Sequence, residues 1–239
     1  MQALRKISLA VVAVAAFAAP AAAQPLPAAR QVLDRYAEAI GGRQAVQRIQ
    51  SRRLVYEVSA GGMTINMDVK QRRPNLGVVL MSTGMGDIRS GFDGTTAWAV
   101  TPMGPAIVDG PQGEEVRIRS AFDADVLFDV YPTMETTERA EYGGKACYKV
   151  RMVTESGAES FRCFDVDTGL MVAVEATQNG MPVTAVYEEW REFDGVKYPS
   201  RFTSSAMGQQ AVTTLVSVEH TDIPASEFVL PTEIKALQP

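Results

Sequence analysis

The residues of this 239-residue chain that could do chemistry are few: one histidine, two cysteines and some short carboxylate clusters. His220, in SVEHTDIP, has no second histidine or cysteine nearby from which to build a zinc site, and it reads as an ordinary strand-end residue. No G-x-S-x-G nucleophile elbow occurs, and STGMG at 82–86 and SAGG at 59–62 read as turns. The clusters EEWRE and FDVD could supply paired carboxylates for acid/base work, but such runs are more often the solvated face of a strand or a turn. GFDGTTAWAVTPMG, residues 91–104, resembles a phosphate-cradling loop only in its glycines. A cradle needs them between a strand and a helix start, with Lys or Ser/Thr ready for the phosphates. Here Asp93-Gly94 is a turn dipeptide followed by the strand formers Trp98 and Val100, so the stretch predicts a hairpin. The residues predict no catalysis, no cofactor and no bound metal.

The chain opens MQALRKISLAVVAVAAFAAPAAAQ, with Arg5 and Lys6 before an apolar run and Ala21-Ala22-Ala23 before Gln24. That pattern predicts a cleaved secretory signal peptide, residues 1–23, and a single exported domain over 24–239. No later segment approaches the ~20 apolar residues of a membrane-spanning helix. The formal charge of −5 becomes more negative when the two leader cations go, which argues against nucleic acid and against anionic membranes.

In an oxidising compartment Cys147 and Cys163 predict a disulfide. Opposed residues of an antiparallel pair have a constant number sum. A five-residue loop from Val153 to Gly157 would set Cys147 against Cys163 and Arg151 against Glu159. The alternative is two reduced, buried cysteines. The pair lacks the Cys-x-x-Cys spacing of a redox centre and reads as a staple.

The elements that must position these groups are mostly strands. With Gly61-Gly62 as a two-residue turn, Val58 faces Ile65, Tyr56 faces Met67 and Leu54 faces Val69, so every apolar pair falls on one side. With Asn179-Gly180 as the turn, Ala176 faces Val183, Val174 faces Ala185 and Val172 faces Tyr187, while Glu175 and Glu188 point outward. PNLGVVLMS, GDIRSGF, TTAWAV, METTERAEY, KYPSRFTSS and QAVTTLVSVEH add further strands. Helical spacing occurs twice. Val32, Leu33, Tyr36 and Ile40 form a stripe that stops at Gly41-Gly42 and resumes with Ala45, Val46 and Ile49. QGEEVRIRSAFDADVLFDVYP is the second helical stretch. The fold class expected is mainly β with a few helices: a large curved antiparallel sheet, an open half-barrel whose concave apolar face is covered by N-terminal and mid-chain helices.

The chain resembles the outer-membrane lipoprotein-sorting protein family, the periplasmic carrier and receptor fold that includes LolA and LolB. The residues that carry the likeness are VLDRYAEAIGGRQAVQRIQSRRLVYEV, GFDGTTAW, YKVRMVTESGAESFRCFDVDTGLMV, EEWREFDGVKYPSRF and SEFVLPTEIKAL, which together span nearly all of the chain after the leader. The resemblance implies a curved sheet that holds acyl chains of lipids or lipidated proteins in its concavity, in lipoprotein sorting or envelope lipid transport. No cargo-contacting residue of the family is carried over.

The residues themselves point the same way. Leu54, Tyr56, Val58, Met63, Ile65, Met67 and Val69 share one face, with Trp98 a further candidate at the rim. Flexible thioethers suit a wall that must fit chains of no fixed shape, although the same face could simply fill a core. The expectation is a monomeric periplasmic binding protein whose partner is an acyl chain. Two alternatives stay open: a protein-interaction or envelope-sensing module that docks a partner at a sheet edge, and an accessory domain of an insulinase-type metallopeptidase.

Overall fold

The structure, a computed structural model, describes residues 25–84, 86–178 and 180–238; the leader and its cleavage point lie outside the described residues. Two helices come first, α1 (Ala29–Ala39) and α2 (Arg43–Arg48), followed by β1 (Ser51–Ala60), β2 (Met63–Arg72), β3 (Leu76–Thr83), β4 (Gly86–Phe92), β5 (Ala97–Thr101) and β6 (Gly104–Ile107). The helices α3 (Gly110–Ser120) and α4 (Ala124–Leu127) then lead to β7 (Thr133–Tyr142), β8 (Lys145–Val153), β9 (Glu159–Asp165), β10 (Met171–Gln178), β11 (Met181–Phe193), β12 (Val196–Ala206) and β13 (Gln209–Glu219). A 3-10 turn (Ala225–Phe228) and α5 (Thr232–Lys235) close the chain.

All thirteen strands form one antiparallel sheet in the order β6-β5-β4-β3-β2-β1-β13-β12-β11-β10-β9-β8-β7. The first and last strands are neighbours at its centre, and β6 and β7 are free edges. The sheet is therefore an open, curved half-barrel, as the sequence predicts. Its hairpins follow from alternation: Val58 lies opposite Ile65, Tyr56 opposite Met67 and Leu54 opposite Val69. Gln178 pairs with Met181, leaving two residues for that turn, and Val174 pairs with Ala185. The stretch at 91–104 is the expected hairpin, with Gly91 opposite Trp98 and the Asp93 carboxylate accepting the N–H groups of Thr95 and Thr96.

The cysteine hairpin differs from the expected pairing by two residues. Cys147 lies opposite Asp165 and Lys149 opposite Cys163, because the five-residue loop is 154–158 instead of 153–157. A slip of two residues preserves which face each side chain takes. Cys147 and Cys163 are thus diagonal neighbours, 5.5 Å apart at Cα, and the disulfide forms. Arg151 and Glu159 likewise keep their ion pair on the diagonal, at 2.7 Å. The bridge lies on the convex face, buried with Ala173.

The concave face is packed by helices at one end. The α1 stripe buries Val32, Leu33, Tyr36, Ala37 and Ile40, and Tyr36 sits 5.2 Å from Phe164 and 6.2 Å from Trp190 between ring centroids. Gly41, at φ +121°, makes the bend into α2; a Cβ there would lie 2.0 Å from the Gly195 carbonyl oxygen. The adjoining Ile40 carbonyl accepts the Lys197 N–H at 2.8 Å, so the helical corner is seated on the β11–β12 turn.

On the convex face the C-terminal segment forms a second core. Ile223, Phe228, Leu230 and Ile234 bury Val78 and Trp98. Lys70 with Glu227 and Arg72 with Asp222 tie its flanks to β2 at 2.8 and 2.5 Å.

The disulfide closes a loop with a sequence separation of 16. Reduction should lower the unfolding free energy by roughly 2–4 kcal/mol without changing the native far-UV spectrum, as measured by denaturant melts with and without a thiol. A melt indifferent to reductant would show that the sheet alone holds this hairpin.

Candidate functional site

Residues on one face of the sheet can be traced across the strands by their pairing. One row runs Ile65, Val58, Thr213, Phe202, Tyr187, and a neighbouring row runs Met63, Ala60, Ala211, Ser204, Ala185, Val174. Towards the helices the same face carries Met67, Tyr56 and Leu215, then Val69 and Leu54. Seven of the eight residues expected to line a cavity therefore do share one face, and it is the concave one. Trp98 is the exception. It shares a face with Gly91, Val78 and Lys70, the convex side, and is fully buried beneath the C-terminal segment. Strand alternation fixes its side, and the segment that covers it lies too far along the sequence to have been anticipated.

Exposure along the concave face is graded. Leu54 and Tyr56 are buried beneath the helices, Val58, Ile65, Met67 and Val69 are half-buried, and Met63 at the hairpin tip is 64 % exposed. The face is thus a packed core at its helical end and an uncovered trough at the other. Aromatic rings make the trough's floor: Tyr187 and Phe202 lie tilted to one another at 5.1 Å, Tyr56 meets Phe202 edge-on at 6.5 Å, and Trp190 lies 6.2 Å from Tyr187. Nearer the rim the inward residues are mostly small: Ala60, Ala211, Ser204, Ala185, Val183 and Ala206. Small side chains leave width that larger ones would fill. The signal for β11 and β12 was present in the sequence, since Val183, Ala185 and Phe202 alternate with polar residues.

The crossover from one sheet edge to the other flanks this trough. Gly77 makes room for α3, because a Cβ there would lie 2.5 Å from Ser120 Oγ, and Gln71 Nε2 donates to the Arg119 carbonyl at 2.6 Å. At the far end α3 reaches the β8–β9 loop through Glu114, whose carboxylate accepts hydrogen bonds from the hydroxyls of Thr154, at 2.9 Å, and Ser156. Burial pushes the Glu114 carboxyl up, but the Ser156 and Thr154 hydrogen bonds outweigh it and hold the group below the usual range. A hollow of about 920 Å³ opens beside this contact, lined by Ala97, Ile107, Asp109, Glu114, Arg117 and Glu155 among others. It contains none of the expected lining residues and mixes charge with apolar surface.

The base of the half-barrel holds a polar network that the sequence did not disclose. Tyr198, buried, hydrogen-bonds His220 Nε2 at 2.9 Å, and His220 Nδ1 meets the Asp194 carboxylate at 2.7 Å. His220 directly follows β13, the strand-end position expected, and is held there by a chain of partners spaced 22 and 26 residues away. Beside it the guanidinium groups of Arg52 and Arg73 each lie 4.5 Å from the Phe122 ring centre, and Arg73 is paired with Asp123. In EEWRE, Glu188 pairs with Arg201 at 2.9 Å, and in FDVD, Asp165 accepts two backbone N–H groups of its own turn. Among the described residues no group of three or more His, Cys, Asp or Glu converges as a metal ion would require. No helix of the described residues is long and apolar enough to cross a membrane.

A carboxyl held low in the folded state stabilises the protein above its unfolded pKa and ceases to do so as pH falls through the folded value. The Glu114 contact should accordingly weaken on acidification below the ordinary glutamate value of 4.5. Glu114→Gln should melt at a lower temperature than the parent near neutrality, and the difference should narrow towards acid. Parallel melting curves for the two proteins over that range would show that the carboxylate contributes nothing.

No family model matches the chain, and no curated protein sequence matches it. Solved structures do. A DUF1329 family protein from Desulfovibrio piger is 11% identical with a TM-score of 0.59, over 88% of this chain and 99% of that one. A LolA superfamily protein from Nitrosomonas europaea is 14% identical with a TM-score of 0.59, over 86% and 99%. An outer membrane lipoprotein-sorting protein domain from Vibrio parahaemolyticus is 11% identical with a TM-score of 0.57, over 84% and 97%. At such identities what is shared is architecture, and by that architecture the chain has a LolA-like fold.

Proposed function

We propose that the protein is a periplasmic carrier or receptor for a hydrophobic ligand, with acyl chains of lipids or lipidated proteins as its cargo. In this reading residues 1–23 direct export and are removed, and 24–239 act as one domain. The observation that carries the proposal is the graded concave face: an aromatic floor, a rim of small side chains, and Val58, Ile65 and Met67 left only partly buried between them. Partly buried apolar surface on an inward face is what a packed core avoids and what a site for a flexible apolar chain uses. The likeness to LolA-superfamily and lipoprotein-sorting structures supports the same reading.

Docking of a partner strand at a sheet edge is less well supported. The β6 edge is four residues long and contains Pro105, and the β7 edge presents Glu135, Glu138, Arg139 and Glu141. Short, proline-bearing and charged edges resist strand addition.

Ile65→Asp would put a carboxylate in the trough between Val58 and Met67, and uptake of a fluorescent fatty acid should fall about tenfold or more. Because Ile65 is only half-buried, its melting temperature should drop far less than that of a comparable change at the buried Leu54. Asn66→Asp, on the convex face, should leave uptake and melting nearly unchanged. A lipid-stripped parent that melts cooperatively and takes up no acyl probe would refute the proposal.

A further inference from the structure

In an antiparallel meander the turns alternate between the two ends of the sheet. The β1–β2, β3–β4, β5–β6, β8–β9, β10–β11 and β12–β13 turns lie together at the open end of the trough. The β11–β12 and β9–β10 turns lie at the other, where α1 is anchored by Arg35 donating to the carbonyls of Val166 and Asp167 at 2.7 and 2.5 Å. Four of the open-end turns carry an exposed methionine: Met63 is 64 %, Met103 97 %, Met181 39 % and Met207 78 % exposed. The β3–β4 connection carries Met85 in its sequence.

The four turns of this end that bear an exposed methionine are free of charge. SAGGMTIN (59–66), VTPMGPA (100–106), ATQNGMPVT (176–184) and TSSAMGQQAVT (203–213) contain no ionisable side chain, in a chain that is 21% charged. Every turn at the opposite end contains at least one: RRPN, FDGT, YGGK, DVDTG and FDGVK. Leu26, Val216, Val229 and Leu237 are exposed elsewhere, as scattered apolar residues commonly are, but among the described residues every exposed methionine stands on this one rim, in a turn without an ionisable side chain.

We propose that this methionine-tipped rim seats reversibly on an uncharged lipid interface, the surface of a zwitterionic bilayer. These four turns hold no ionisable side chain, so no ion need be desolvated as their tips enter the headgroup region, while Glu155 and Asp87 stand at the neighbouring β8–β9 and β3–β4 turns and can stay in water. With no Lys or Arg there, and a net charge of −5 overall, anionic headgroups are not the attraction. The tips stand on separate hairpins with a trough between them, so they lack the contiguous apolar centre that a fixed protein interface requires. Unbranched, flexible thioethers suit a fluid phase that imposes no shape. Seated this way, the trough would open directly onto the membrane surface. The inference goes beyond the carrier reading and does not depend on it.

The test is sedimentation with phosphatidylcholine vesicles, without acyl probe, using the chain from residue 24 because the apolar leader would itself bind. The parent should partition onto vesicles to an extent unchanged by added salt. A quadruple variant, Met63→Ser, Met103→Ser, Met181→Ser and Met207→Ser, should lose that partitioning by roughly tenfold or more while melting as the parent does. Met103→Trp should be quenched by brominated acyl chains. Tyr187→Ser, in the trough floor and outside the four uncharged stretches, should take up less acyl probe yet bind vesicles as the parent does, so failure of rim docking and failure of the trough are read separately. The proposal is overturned if the parent ignores these vesicles, if the quadruple variant binds as well as the parent, or if binding needs anionic lipid and collapses with salt. Rim-dependent binding to a protein with no binding to vesicles would overturn it equally.

Discussion

The pairing of β1 with β13 is the constraint on which the rest depends. Residues 51–60 and 209–219 are far apart in the chain yet adjacent at the middle of the sheet, with Val58 opposite Thr213 and Leu54 opposite Val218. Each half of the sheet can form by local hairpins, whereas this one contact carries a large loop-closure cost. It also dictates the connection elsewhere. Once the termini of the sheet are joined at its centre, β6 and β7 become opposite edges, and the segment between them has to cross the opening. That is why α3 and α4 flank the concavity and why Glu114 can reach the β8–β9 loop.

Curvature gives one face two different environments. At the helical end Tyr36, Phe128, Phe164 and Trp190 fill the space among one another, and Arg73 closes the base by donating to the carbonyls of Ile49 and Val46. Towards the rim of β1 and β11–β13 the inward residues shrink to alanine, serine and valine. The transition falls within single strands: Leu54 and Tyr56 are buried, Val58 is half-buried, and Ala60 leads to a tip at Met63 that faces solvent. A continuous hydrophobic strand thus supplies fold stability at one end and uncovered apolar surface at the other.

What was legible in the sequence follows from local rules. Two-residue turns at Gly61-Gly62 and at 179–180 define register directly, and both agree with the observed pairing. The helical stripe from Val32 to Ile49 was readable for the same reason. Longer loops set register less tightly, which is why the cysteine hairpin sits two residues from the expected pairing while keeping its faces and its bridge. Alternation sets Trp98 on one side of β5, but which side is covered was not legible, because its cover, Phe228 and Ile234, comes from the far end of the chain. The Asp194, His220 and Tyr198 chain was illegible on similar grounds: its members meet only when the β11–β12 turn folds against the end of β13.

The central position of the last strand bears on the order in which the protein can be completed. During synthesis β1 to β6 emerge first, and the inner edge of β1 stays without a partner until residues 209–219 have been made. The C-terminal segment that buries Trp98 arrives later still. A nascent chain therefore holds an unfinished sheet until residues 209–219 have followed every other strand, so the joining of the two halves waits on the strand made last.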